Sequence, residues 1–312
     1  MQPQGRKHQR CFLLHFLRMA RQRLGQHFLA DAGWREQIAR AIGVLPHSAA
    51  QYSPVAAASE GVASTISSQV ASARPPNRGH CWIEVGAGHG EMTEYLATTG
   101  ADVYAIELDA LLVARLRRLM KKFPNLTVVP GDVLETDLAA LAAGRRIWIY
   151  GNLPYYITSP ILHHFFAFAD QIDEIHIVIQ DEVALRLTAK PRTKQFGYLS
   201  VVTQLYTRPE FVLRIPRGAF SPPPEVGSAL ATLRLPGERA KLAIGDETAF
   251  LDFVKLCFSQ KRKTLVNNLR PIAEPDIVRE ILASQSLRPD ARAEQLSVPQ
   301  FALVHASLSA AR

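Results

Sequence analysis

From residue 81 onward, short apolar runs recur along the chain, and helix-length segments separate them. "CWIEV" (81–85), "DVYAIE" (102–107), "LTVVP" (126–130), "RIWIYG" (146–151) and "EIHIVIQ" (174–180) are short and mostly apolar. Segments such as "LLVARLRRLMKK" lie between them. Apolar strands alternating with helices predict an α/β fold, a parallel sheet covered by helices on both faces. Two later runs, "LSVVTQLYTRPEFVLRIP" and "SALATLRL", are expected to supply a closing pair of strands. The main α/β domain is thus expected over 81–240. From about residue 245 the pattern turns helical to the end, which predicts a small C-terminal helical domain over 245–312.

The segment "PHSAAQYSPVAAASEGVASTISSQVASARPPNRGH" (46–80) interrupts this rhythm. It is rich in Ala, Ser and Pro and has almost no large apolar residues, so burial cannot offset the entropy of ordering it. A flexible low-complexity insertion is expected there, between an N-terminal segment (19–45) and the first strand.

With 312 residues, 47% of them hydrophobic and 21% charged, the chain can bury a substantial core. No apolar run approaches the roughly 18 residues a membrane helix needs. Cys11, Cys81 and Cys257 stand far apart without a metal-ligand spacing, so neither a disulfide framework nor a metal site is expected, and a reducing compartment is the default. The net charge of +8 is unevenly spread. Residues 1–30 carry Arg6, Lys7, Arg10, Arg18, Arg21 and Arg23 without an acid, and "KLCFSQKRKTLVNNLR" carries Lys255, Lys261, Arg262, Lys263 and Arg270, also without one. Two such patches suit a polyanion, because each cation that neutralises a phosphate releases a counterion. A solvated basic surface with no partner is the other reading.

The first strand runs into "IEVGAGHGEMTEYL", in which Gly86, Gly88 and Gly90 precede a helix. Without Cβ atoms the backbone there can be approached closely by a ligand, although such turns also serve simply to pack a helix. Glu107 ends the second strand, where a carboxylate can accept from both hydroxyls of a ribose, and Asp132 follows the third, where it could accept from an adenine amine or cap a helix. Ligands in open α/β sheets bind outside the carboxyl ends of the strands, so three such residues on one rim point to an adenosine-containing ligand. GxGxG spacing leans from a dinucleotide towards S-adenosylmethionine.

The fourth strand ends in "WIYGNLPYYITSPIL". An exocyclic adenine amine is a poor nucleophile until acceptors hold its two hydrogens, because its lone pair is delocalised into the ring. The Asn152 side-chain oxygen can be one acceptor, and a backbone carbonyl of the Leu153–Pro154 turn the other. Tyr155 offers a face for the base, worth roughly 1 to 3 kcal/mol of stacking. A plain Asn-x-Pro turn plugged by aromatic residues is the competing reading.

Taken with "RLGQHFLAD" (23–31), "FGYLSVVTQLYTRPEFVLRIPRGAFSPPPEVGSALATL" and "FSQKRKTLVNNL", these blocks resemble the ribosomal RNA adenine N6,N6-dimethyltransferases over nearly all of the chain. The resemblance is greatest to the branch that dimethylates two adjacent adenosines near the 3′ end of small-subunit (16S) ribosomal RNA. It implies a class I S-adenosylmethionine-dependent methyltransferase fold, Rossmann-like, with a seven-stranded, mostly parallel sheet. It also implies a cytoplasmic monomer working on an immature small ribosomal subunit. In the site, His27 and Leu29 would line the S-adenosylmethionine pocket, Gly86 would meet the methionine portion, Glu107 the ribose and Asp132 the adenine. Asn152 would sit between donor and target amine. Tyr155 and Phe220 would sandwich an adenine flipped from its helix. Lys261, Arg262 and Lys263 would bind RNA. His163 and His164 read as helix residues without a role.

Two features depart from that family's pattern. Residues 1–18 precede its usual start, so Met19 is a plausible initiator, while an Arg-rich, acid-free stretch also fits a mitochondrial transit peptide. The 46–80 insertion replaces a short link. Three competing functions remain: a sister branch that dimethylates one adenosine of large-subunit RNA and confers antibiotic resistance, a non-catalytic RNA-binding assembly factor on the same fold, and an NAD oxidoreductase. "KRKTLVNNL" and "FSPPPEVGSA" favour the small-subunit branch.

Overall fold

A computed structural model of the chain describes residues 27–46 and 79–310. The expected N-terminal extension and nearly all of the 46–80 insertion lie outside the described residues, as do 311–312. After a two-residue strand β1 (Phe28–Leu29) and a helix α1 (Ala32–Ala41), strands and helices alternate as the apolar runs foretell. They are β2 (His80–Val85), α2 (Glu91–Ala97), β3 (Asp102–Glu107), α3 (Ala110–Leu119), β4 (Leu126–Pro130), α4 (Leu138–Ala142), β5 (Arg146–Asn152), α5 (Thr158–Phe166), β6 (Ile172–Gln180), α6 (Asp181–Leu187) and α7 (Tyr198–Tyr206). β7 (Arg208–Ile215), β8 (Phe220–Ser221) and β9 (Ser228–Arg234) follow. The C-terminal helices are α8 (Glu247–Cys257), α9 (Leu265–Asn268), α10 (Pro275–Ser284) and α11 (Val298–Ala310).

Seven strands form one sheet in the order β4-β3-β2-β5-β6-β9-β7. The first five run parallel, and β9 is antiparallel to both β6 and β7. The chain therefore moves outward from β2 to β4, then returns to lay β5 against the other side of β2. That reversal opens a crevice between the carboxyl ends of β2 and β5, where Val85 pairs in register with Gly151.

Alternate residues of each strand face opposite layers. Cys81, Ile83 and Val85 of β2 join Ile147 and Ile149 of β5 in an apolar cluster with helices α4 to α7, while Trp82, Trp148 and Tyr150 join a second cluster with α1 to α3. The C-terminal helices do not have a core of their own. Phe250, Val254, Leu265, Leu282 and Phe301 belong to the first cluster and are continuous with the sheet.

Among the expected elements, the structure corrects one assignment. "LSVVTQLYTRPEFVLRIP" is not a single strand: its first half is α7 and only Arg208–Ile215 enters the sheet. α7 is covered by the sheet and by C-terminal helices, and Ser200, Val201, Val202, Thr203, Leu205 and Tyr206 are all buried. An element buried nearly all round, with small polar residues such as Ser200 and Thr203 among its buried positions, does not show the clean period that distinguishes helix from strand.

Candidate active site

The ends of β2, β3 and β5 each contribute one feature to the crevice. A cavity there is lined by His27, Phe28, Gly86, Gly88, Glu107, Asn152, Leu153, Pro154 and Tyr155. A second crevice shares Phe28, Gly86, Gly88 and Asn152 and adds Leu29, Glu84 and Tyr150. Eight of the proposed residues (His27, Leu29, Gly86, Glu107, Asn152, Leu153, Pro154 and Tyr155) thus come together.

The glycines divide by role. Gly86 and Gly88 have φ of 68° and 59°, and a Cβ on Gly88 would stand 3.2 Å from the Phe28 ring. Gly90 is different: a Cβ there would meet Leu119 at 2.5 Å and Leu116 at 3.1 Å, so this glycine lets α2 pack on α3 rather than admitting a ligand.

Glu107 is 3% exposed, and its carboxylate is held by two peptide donors. Gly88 N–H donates to Oε2 and Asp109 N–H to Oε1, each at 2.9 Å. Each oxygen keeps a further lone pair, the arrangement needed to accept from two vicinal hydroxyls. Asp109 in turn caps α3 through Leu111 and Leu112 N–H. Beside this group lies Glu84, 2% exposed, which accepts from Thr93 Oγ1 at 2.5 Å. Burial, partly offset by that hydroxyl and reinforced by Glu91 and Glu107, pushes its carboxyl up to about 8. The buried Tyr150 hydroxyl, also at this crevice, has no hydrogen-bond partner among the described residues. An unpaired hydroxyl, a twice-held carboxylate and a backbone free of Cβ atoms fit the polar ends and sugar of a nucleoside-type cofactor.

The end of β5 turns sharply at Pro154. Asn152 Nδ2 donates to His27 O at 2.8 Å, so the carboxamide is fixed by the N-terminal strand and presents Oδ1 as an acceptor to which no described residue donates. Ile157 N–H (3.2 Å) and Thr158 Oγ1 (3.3 Å) occupy the Pro154 carbonyl. Leu153 donates its N–H to Val178 O at 3.0 Å, and its own carbonyl accepts from no described residue. Tyr155 is half-buried, its hydroxyl bonded to Ser228 Oγ at 2.5 Å and its ring centroid 5.8 Å from that of His27. Burial raises the phenol's pKa, and the Ser228 bond works against it.

Two proposed residues stand apart from the cavity. Phe220 does not present a second open face for a base. It is 3% exposed, because pairing of β8 with β1 turns it into the apolar cluster that holds Leu29, Ile215 and Leu230. Asp132 does not line the cavity either: it accepts from Leu134 N–H at 3.0 Å and caps the short turn Val133–Glu135. Phe28, Glu84, Tyr150 and Ser228 are the residues that sequence reasoning passed over. Phe28 lies between the two residues chosen from "QHFLAD", and Ser228 sits in the "PPPEVGSA" block. Their roles depend on contacts between distant segments. Lys261, Arg262 and Lys263 lie outside the crevice, exposed in the turn after α8. His163 and His164 are on α5, where His164 bonds Thr136 O. No cluster of metal-ligating side chains occurs among the described residues, and none of their helices is long and apolar enough to cross a membrane.

The sequence model of the ribosomal RNA adenine dimethylase family matches residues 18–309. A curated relative, ribosomal RNA small subunit methyltransferase A of Acidobacterium capsulatum, is 41% identical over 228 residues, spanning 72% of this chain and 80% of the relative. The protein of the same name from Xanthomonas euvesicatoria is 36% identical, spanning 90% and 94%. Among solved structures, a dimethyladenosine transferase from Plasmodium falciparum superposes with a TM-score of 0.62 at 22% identity, covering 72% of this chain and 88% of that one. The 23S rRNA methyltransferase ErmE also gives 0.62, at 23% identity, covering 90% and 99%. These two establish a shared fold, the class I methyltransferase sheet. By the extent of the family match and the identity of its relatives, the chain belongs to the ribosomal RNA adenine dimethylase family.

Proposed function

We propose that this protein uses S-adenosylmethionine to dimethylate the exocyclic N6 amines of two adjacent adenosines near the 3′ end of small-subunit ribosomal RNA, in an immature small subunit. The small-subunit assignment is supported by the name its relatives carry at 36% to 41% identity. The observation that carries the chemistry is the Asn152 carboxamide, fixed through Nδ2 with Oδ1 left as an acceptor.

When bound, S-adenosylmethionine supplies an electrophilic methyl group. Gly86, Gly88, Glu107, His27 and Leu29 would hold it, with the Glu107 carboxylate on the ribose hydroxyls. Asp132 would take the adenine amine with a carboxylate lone pair other than the one that caps Val133–Glu135. The target adenine stacks on Tyr155, and its N6 hydrogens are accepted by Asn152 Oδ1 and the Leu153 carbonyl. Holding both hydrogens draws the nitrogen out of conjugation and aims its lone pair. Placement and electrostatics suffice, because the amine needs no base before attack and the product sheds its proton afterwards. Phe220 would act beneath β1 as support rather than as a second stacking face.

Purified protein supplied with tritiated S-adenosylmethionine and immature small subunits should yield labelled dimethyladenosine on digestion of the RNA. Label confined to large-subunit RNA would refute the substrate, and absence of transfer to any RNA would favour the non-catalytic assembly reading.

A further inference from the structure

Two loops distant in sequence meet on the surface. One, residues 188–197, joins α6 to α7 and carries Lys190, Arg192 and Lys194; the other, after α8, carries Lys261, Arg262 and Lys263. Lys261 Nζ donates to the Lys194 carbonyl oxygen at 2.9 Å. Beneath them, the buried Phe196 faces the ring of Phe258, with centroids 6.4 Å apart. Arg192 N–H donates to Glu294 O at 2.7 Å, and Asn268 Nδ2 holds the Cys257 carbonyl at 2.6 Å. Both loops are therefore pinned to the core, and their charged side chains reach outward.

All six cations are exposed. Elsewhere Arg145, Arg146, Arg186, Arg214, Arg234 and Arg239 each face an aspartate or glutamate. None of the six loop cations has a carboxylate partner among the described residues. Like charges brought together without an ion-paired carboxylate leave a positive potential that a polyanion relieves. The ridge is also linked to the candidate site. α5 starts at the turn carrying Tyr155, and His163 on it stacks against Tyr198, the first residue of α7, at 5.8 Å. Within α5 the five residues from Thr158 to His163 rise about 7.5 Å along the axis from that turn.

We infer that loops 188–197 and 259–264 form one phosphate-binding ridge that grips the RNA backbone beside the nucleotide held at Asn152 and Tyr155. The inference rests on the proposed RNA substrate and extends the interface from Lys261–Lys263 to Lys190, Arg192 and Lys194, which the sequence pattern did not mark. The ridge acts through charge, so it sets affinity and register rather than base identity.

The test titrates the full-length protein with a labelled 3′-terminal small-subunit RNA fragment across a salt series. Variant K190Q/R192Q/K194Q removes the charge, and K190E/R192E/K194E reverses it. Each phosphate contact contributes about 0.7 to the slope of log affinity against log salt on single strands. The Gln variant should lower that slope by about 2, and the Glu variant should weaken binding further at low salt. S-adenosylmethionine affinity by calorimetry should not change. R115Q/R117Q/R118Q, on exposed positions of α3, is the comparison. An unaltered slope in the Gln variant, or an equal loss from the α3 variant, overturns the ridge. Parent protein that binds RNA with a steep slope yet forms no dimethyladenosine overturns the substrate reading, while the slope comparison still decides the ridge.

Discussion

At the strand-end rim, Glu84 and Glu107 are 2% and 3% exposed, and the groups that orient them are a hydroxyl and two peptide N–H groups. On the loops at 190–194 and 261–263, six cations stand in water without a carboxylate beside them. The rim fixes direction: its carboxylates are desolvated and held by peptide N–H groups and by the Thr93 hydroxyl. The loops supply attraction, which tolerates long flexible side chains and fades with salt. Chemistry that depends on aiming one lone pair belongs on the first, and capture of a long polyanion on the second. Mutations in the two regions should therefore fail in different ways.

The largest separation is expected from Asn152→Ala. Loss of one preorganised acceptor should lower methyl transfer in single turnover by about 10²- to 10³-fold, with RNA affinity held within about twofold. A parallel fall in both would erase the distinction between the regions. Next comes Glu84, whose carboxyl is pushed up to about 8 by burial while its unfolded value is near 4.5. The folded chain then binds more protons than the unfolded one between those limits, so this group makes stability fall as pH rises from about 4.5 to about 8. Parent protein should lose on the order of 3 kcal/mol between about pH 5 and pH 8 that Glu84→Gln does not lose, as read from urea unfolding at both pH values. Equal pH dependence in the two would mean that water reaches the rim.

Glu107→Gln turns an amide NH₂ towards either Gly88 N–H or Asp109 N–H, opposing two buried donors. S-adenosylmethionine binding measured by calorimetry should weaken about tenfold, with the salt slope of RNA binding untouched. The smallest effect is expected from Ser228→Ala, which leaves the Tyr155 hydroxyl without its partner. Loss of that bond should reduce kcat/KM for RNA by about fivefold, and Tyr155→Phe should do the same if the bond only orients the ring.

Most of the sheet could be read from the chain because its strands are short apolar runs, with β2, β5 and β6 buried on both faces, and the rim followed from what lies at their ends. What escaped is informative. α7 was hidden by being buried nearly all round. Gly90 belongs to the glycine motif in sequence but to the α2–α3 contact in space. Phe220 looked like a free aromatic platform, and its burial follows from pairing with Leu29, a partner nearly two hundred residues earlier. The 188–197 loop holds cations spaced too loosely to register as a run, and it becomes a patch only when Lys261 reaches Lys194.

His27 joins two otherwise separate structures. Its carbonyl oxygen holds the Asn152 amide, and its ring Nδ1–H donates to Pro222 O at 2.8 Å in the proline-rich turn. Phe28, the next residue, covers Gly88. The N-terminal strap is thus a latch with the Asn152 amide as its catch. Peeling it back would uncover the glycine floor and release the carboxamide in one movement, so an open pocket is also one whose aim is lost.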